Sequence, residues 1–120
     1  MKKALVIDDT KEIADGICKM LSFLDIQAMA VYSPLSALQK AREYVPDIVL
    51  VDIHMPGIEG VEVISYLRRE IAFMDVPIVV VTSDDQKETR QEALKAGAIE
   101  VIIKPISFEV LEKVIKSLRW

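Results

Sequence analysis

The 120-residue sequence predicts an α/β fold, in which five β–α units wind around one parallel sheet with helices on both faces. Three observations carry that prediction. Short runs rich in Val and Ile recur at near-regular intervals, and several are almost continuously apolar, the pattern of strands covered on both faces. Between them lie longer stretches with apolar residues every three or four positions, the spacing of a single helix face. Each strand–helix–strand step is about as long as a crossover between parallel strands requires. Five units are too few for an eight-stranded barrel, which leaves an open, doubly wound sheet.

The elements follow in order. Residues 4–7 form the first strand, and Ile13, Ile17, Leu21 and Leu24 mark the buried side of a helix, with Cys18 beside them as small core packing. Residues 28–31 form the second strand, its ends blurred by Gln27 and Tyr32. Ser33 suits an N-cap and Pro34 a first helical position, and Leu35, Leu38 and Ala41 carry that helix's apolar spacing. Residues 48–51 are the third strand, and Val61, Ile64 and Leu67 after Gly60 mark the third helix. Residues 78–81 are the fourth strand, followed by a helix over 85–96 that Gly97 closes. Residues 99–103 are the fifth strand, and a last helix capped by Ser107 presents Val110, Leu111, Val114, Ile115 and Leu118.

Composition narrows the function classes. The length and 52% hydrophobic content suit one domain over residues 1–120 and exclude a disordered chain. Fifteen Lys and Arg against 19 Asp and Glu, with a pI near 5.0, argue against direct nucleic-acid binding, which normally rests on a basic excess. One cysteine closes no internal disulfide, so no oxidising compartment is required. Lys2 and Lys3 precede only four apolar residues, too few for a signal peptide, and no apolar run is long enough to cross a bilayer. A cytoplasmic location without membrane insertion is expected.

In open α/β sheets the functional groups gather just past the carboxyl ends of the strands. Here those positions hold Asp8 and Asp9 after the first strand, Asp52 after the third, Thr82 after the fourth and Lys104 after the fifth. With strand order 2-1-3-4-5, the first and third strands are neighbours and the three acids meet at one rim. At about 4 Å and an effective dielectric of about 20, each like-charged pair costs about 4 kcal/mol. Either a raised pKa that keeps one carboxyl neutral or a bound cation relieves that repulsion, and an oxygen-only donor set suits a hard divalent ion, Mg²⁺ above all where a phosphate completes the shell. Lys104 adds a positive charge and Thr82 a hydroxyl donor, so the cluster suits accepting a phosphoryl group.

Four motifs stand in order on this period: V-I-D-D-T, V-D-I-H-M-P-G-I-E-G, V-V-V-T-S and I-I-K-P. Together they make the whole chain resemble the receiver domain of bacterial response regulators, the phosphoacceptor half of two-component signalling. The resemblance implies a flavodoxin-like three-layer sandwich, with Asp52 taking a phosphoryl group from a phosphohistidine. It implies Mg²⁺ held by Asp9, Asp52 and the backbone carbonyl of His54, with Asp8 acting through a water. It gives Lys104 a phosphoryl oxygen to pair with, Thr82 a hydrogen bond to the same group, and Pro105 a cis peptide. The partners it implies are a sensor histidine kinase or histidine phosphotransfer protein upstream, and downstream a separate effector or an output domain outside this chain, since nothing follows Trp120. The chain is then a switch with self-catalysed phosphotransfer and autodephosphorylation only, and not otherwise an enzyme. In this family the residues two after the acceptor Asp and two after the Thr, here His54 and Asp84, tune how long the phosphoryl group lasts.

The sequence departs from the family pattern in places. Val101 stands where receivers often carry Tyr or Phe, Ser83 where Ala is common, and Ile106 where many transcriptional regulators have Phe. A valine cannot swing a ring between two pockets, and Ile106 weakens the case for dimerisation through the fourth helix, fifth strand and fifth helix.

Plainer readings compete. Asp8 or Asp9 is also a natural N-cap, Asp52 a turn residue before Pro56 and Gly57, Lys104 a solvated lysine, and Thr82 the start of a turn. His54 has no His or Cys partner at transition-metal spacing. A haloacid-dehalogenase-type phosphatase also uses Asp, Thr or Ser, Lys and Mg²⁺, but places its nucleophile as D-x-D after the first strand. A flavodoxin needs a Ser/Thr/Gly-rich phosphate loop where this chain has two carboxylates.

Overall fold

A computed structural model describes residues 1–55, 57 and 59–118; Pro56 and Ile58 of the second motif and Trp120 lie outside the described residues. The elements are β1 (Lys2–Ile7), α1 (Lys11–Ser22), β2 (Ile26–Val31), α2 (Pro34–Ala41), β3 (Ile48–Val51), α3 (Gly60–Arg69), β4 (Ile78–Thr82), α4 (Lys87–Ala96), β5 (Glu100–Ile103) and α5 (Phe108–Ser117). A 3-10 turn at Ile71–Phe73 joins α3 to β4. The five strands are all parallel, in the order β2-β1-β3-β4-β5.

Alternation along the strands builds two cores. Leu5 and Ile7, Val49 and Val51, Ile78 and Val80, and Val101 point to the face covered by α2, α3 and α4. Ala4 and Val6, Ile48 and Leu50, Val79 and Val81, and Ile102 point to the face covered by α1 and α5. Each strand is thus apolar on both sides, which is why its sequence shows no period of two. Cys18 packs partly buried on the second face, as expected.

Several element boundaries shift, for identifiable reasons. The second strand begins at Ile26, ahead of the expected residue 28, because its pairing with β1 already starts at Lys2–Ile26. The expected start of α4 at residue 85 moves to Lys87, since the Asp84 carboxylate accepts from the Gln86 amide and holds that amide in a turn. On α2 the buried residues are Pro34, Ala37 and Ala41, whereas Leu35 is 63% exposed. Of the expected apolar positions Ala41 is buried and Leu38 packs partly buried on the core, so only Leu35 is displaced, its place taken by Pro34 and Ala37. The caps at Ser33 and Ser107 form as expected, accepting from Ser36 and Val110 amides. Gly97 ends α4 at φ 124°, a conformation that side chains rarely adopt.

Register decides what reaches the carboxyl rim. Ile7 pairs with Val51, so Asp8 and Asp52 emerge side by side from adjacent strands. The Asp52 amide continues the ladder by donating to the Ile7 carbonyl at 2.9 Å. On the other side Thr82 pairs with Ile103, and the Lys104 amide donates to the Thr82 carbonyl at 2.8 Å. Backbone bonds thus fix the roots of Asp8, Asp52, Thr82 and Lys104 along one edge.

Candidate phosphoacceptor and metal site

Asp8 and Asp52 are buried, at 1% and 7% exposure, while Asp9 is exposed. One carboxylate oxygen from each of Asp8, Asp9 and Asp52 lies within 4.8 Å of the others. The plainer reading of the acid pair as helix caps does not hold: Thr10 is the N-cap of α1, and Asp8 instead accepts from the Thr10 amide at 2.9 Å. Asp9 has no hydrogen bond or ion pair among the described residues, which leaves its oxygens open to a ligand.

Lys104 is the counter-charge. Its Nζ donates to Asp8 Oδ2 at 3.0 Å and to Asp52 Oδ2 at 3.2 Å, with its side chain 15% exposed. Burial alone lowers the pKa of an ammonium, but here the hydrogen bond to Asp8 and the charge of Asp52 outweigh it and hold Lys104 above the ordinary lysine value. One lysine against three acids leaves the cluster net negative. Its donors are oxygen only, which fits a hard divalent ion and does not fit zinc or copper.

Thr82 is fully buried as the last residue of β4, and its Oγ1 accepts from the Asp84 amide at 3.1 Å. The His54 amide donates to Asp52 Oδ1 at 3.0 Å, fixing the carboxylate from the side opposite Lys104's partner oxygen. The His54 ring is half exposed and turns toward Asp84, 3.2 Å from Oδ2, with Nδ1 3.8 Å from Glu59. Bonds from the Gln86 amide, the Thr89 hydroxyl and the His54 ring hold the Asp84 carboxyl below the ordinary carboxylate value. The Lys104–Pro105 peptide is cis.

A cavity of about 790 Å³ opens beside the cluster, and its lining includes Asp9, Asp52, His54 and Lys104 together with Ile17 and Ile106. The structure brings together Asp8, Asp9, Asp52 and Lys104, while Thr82 ends β4 on the same sheet edge with its hydroxyl engaged by the Asp84 amide. Sequence reasoning missed Glu59 and Thr89 as neighbours of His54 and Asp84. Only Thr89 had a local signal, as a hydroxyl five residues past an Asp in the loop that leads into a helix.

Residues 4–116 match the family model of the response regulator receiver domain. The chain belongs to that family. Among curated relatives of this receiver domain, the phosphate regulon transcriptional regulatory protein PhoB of Escherichia coli is 32% identical over 97% of this chain and 51% of that protein. The receiver domain therefore spans about half the length of that relative. Among solved structures, the chemotaxis protein CheY4 of Vibrio cholerae superposes with a TM-score of 0.93 at 26% identity, covering 99% of each chain. The receiver domain of a Pseudomonas aeruginosa sensor histidine kinase has the same fold, with a TM-score of 0.88 at 22% identity over 97% of this chain and 95% of that one. That structure holds a magnesium ion in its active-site cleft. Receiver domains serve two-component response regulators, and the phosphatase alternative finds no support in these matches. Among the described residues no helix is long and apolar enough to cross a membrane.

Proposed function

We propose that this receiver domain, one folding unit over residues 1–120, accepts a phosphoryl group on Asp52 from a phosphohistidine of a sensor kinase or phosphotransfer protein. The observation that carries this reading is the convergence of Asp8, Asp9 and Asp52 on one rim with Lys104 bridging two of them.

Asp9, Asp52 and the His54 carbonyl would hold Mg²⁺ directly, and Asp8 through a water. When bound, the ion supplies positive charge to the phosphoryl oxygens during transfer. The chain's own groups do the rest. Asp52 Oδ1, held by the His54 amide, is already oriented, so the attacking oxygen loses little freedom on reaction. Lys104 exchanges its contact with Asp52 for a phosphoryl oxygen while keeping Asp8 as its anchor. Thr82 leaves the Asp84 amide to donate its hydroxyl to the same group. The acyl phosphate so formed is water-labile, as a temporary mark must be. Phosphorylation shifts a two-state equilibrium only through such differential contacts. With Val101 buried in the core, the shift proceeds without a swinging aromatic ring at that position. The output passes to a separate effector or to a domain outside this chain, and the setting is cytoplasmic. The chain acts as a switch with no diffusible substrate beyond its phosphodonor.

Incubation with acetyl phosphate tests this. The expected result is one phosphoryl group per chain, labile to hydroxylamine, absent without Mg²⁺ and absent in Asp52→Ala. Catalytic release of phosphate from many phosphate esters overturns it.

A further inference from the structure

The Asp84 carboxylate ties two loops and a helix together. Its Oδ2 accepts from Thr89 Oγ1 at 2.7 Å, on the first turn of α4, and lies 3.2 Å from His54 Nε2. Its Oδ1 accepts from the Gln86 amide at 2.9 Å. A carboxylate only accepts, so Nε2 carries the proton. The other ring nitrogen faces Glu59 at 3.8 Å. The imidazole is therefore held by Asp84 of the β4–α4 loop, with Glu59 of the β3–α3 loop nearby beyond hydrogen-bond distance, and it lines the cavity that Asp52 also lines. The backbone of the same His54 grips Asp52 itself.

From this we infer that Thr89 is a positioning residue that sets how long a phosphoryl group stays on Asp52, acting through Asp84 and the His54 ring. The inference rests on the phosphoacceptor reading above. Loss of the mark is hydrolysis: a water oxygen bonds to phosphorus and the bond from phosphorus to the Asp52 oxygen breaks. The electron pair stays on the regenerated carboxylate, and the water's proton goes to solvent. A ring held on Asp84 keeps Nε2 engaged, so that nitrogen does not hand a water to the cavity that His54 and Asp52 both line. Thr89 fixes the carboxylate oxygen that holds the ring. Without that hydroxyl, Asp84 Oδ2 turns away, the imidazole swings outward and water gains access.

The test loads the full chain with labelled acetyl phosphate and Mg²⁺, removes the donor, and follows loss of label from wild type, Thr89→Val, Thr89→Ser, Asp84→Ala and Asp84→Ala/Thr89→Val. Thr89→Val is expected to lose label about fivefold faster, the rate equivalent of one ordinary hydrogen bond. Thr89→Ser keeps the hydroxyl and the wild-type lifetime. Asp84→Ala shortens the lifetime by itself, and adding Thr89→Val changes nothing further, because the two act in series. Should Thr89→Val fold poorly, Thr89→Ala and the His54→Ala background, where the Thr89 effect must vanish, carry the same comparison. A Thr89→Val lifetime equal to or longer than wild type, a Thr89→Ser as short-lived as the valine, or an additive double variant each overturns the inference. A wild-type chain that takes no label overturns the phosphoacceptor reading, and the inference with it.

Discussion

Lys104 reaches across the whole width of β4 to place its ammonium 3.2 Å from the Asp52 carboxylate, joining the ends of β5 and β3. The same ammonium holds Asp8 just past β1, so one side chain balances acids at the ends of two other strands. Lys104→Ala leaves Asp8 and Asp52 buried, like-charged and unpaired. With the pair 15% exposed at its widest, the expected loss is on the order of 3 kcal/mol of unfolding free energy. Lys116→Ala, which breaks an exposed pair with Glu112, is the control and costs about 0.3 kcal/mol. The pH dependence has a definite sign. A lysine raised in the folded state contributes fully below the ordinary value of 10.5, and loses that contribution as pH climbs through its folded pKa. Urea titrations at neutral and alkaline pH check both points.

Asp9 differs from its two neighbours in having no bonded partner among the described residues. Asp9→Asn therefore removes repulsion and breaks nothing. In metal-free buffer the variant is expected to be more stable than wild type by about 1 kcal/mol. Millimolar MgCl₂ reverses the order, because it raises the wild-type Tm through binding and leaves the variant nearly unchanged. Thermal unfolding of both proteins with and without MgCl₂ decides it; a variant that is less stable in EDTA sinks the electrostatic account of the rim.

The site was legible in the sequence because strand ends are fixed by apolar runs, and a parallel sheet puts all of those ends on one edge. Asp52 after V-L-V and Lys104 after V-I-I needed only the order of strands to meet. Other features depend on which loops touch. The contact of His54 with Asp84 joins residues 30 positions apart through loops with no periodicity. Phe73 is fully buried in a 3-10 turn too short to show a repeat. On α2 Leu35 was misread because the small Ala37 buries well without raising the apolar signal, while the larger Leu35 faces solvent.

Two glycines respond oppositely to the same substitution. A Cβ on Gly97, at φ 124°, meets the Arg68 side chain at 2.9 Å. Arg68 is also the donor that satisfies the carbonyls of Gly97, Phe73 and Val76, so displacing it frees several acceptors at once. Gly97→Ala is expected to cost about 2 kcal/mol. A Cβ on Gly16, inside α1, meets nothing within 4 Å, and Gly16→Ala is expected to stabilise by up to about 1 kcal/mol. Shifted urea midpoints with unchanged slopes confirm both; a destabilised Gly16→Ala shows that α1 needs the gap.

Cys18 offers a probe of α1 packing that is independent of the acidic rim. Burial pushes its thiol up to about 11, helped by the negative charge of Asp15. At about pH 8 the folded chain therefore exposes far less thiolate than the unfolded one, and a disulfide reagent reacts with the native thiol at least about tenfold more slowly than with the thiol in denaturant. The linkage runs the same way as for Lys104. Below the ordinary value of 9.0 both states are neutral and stability is unaffected. As pH rises from there through about 11 the unfolded thiol ionises first, and stability falls. Cys18→Ser, whose hydroxyl does not ionise in this range, removes that part of the alkaline loss. Equal labelling rates in native and denatured protein at about pH 8 show that α1 lifts from the sheet far more readily than its packing against β1 and β2 implies.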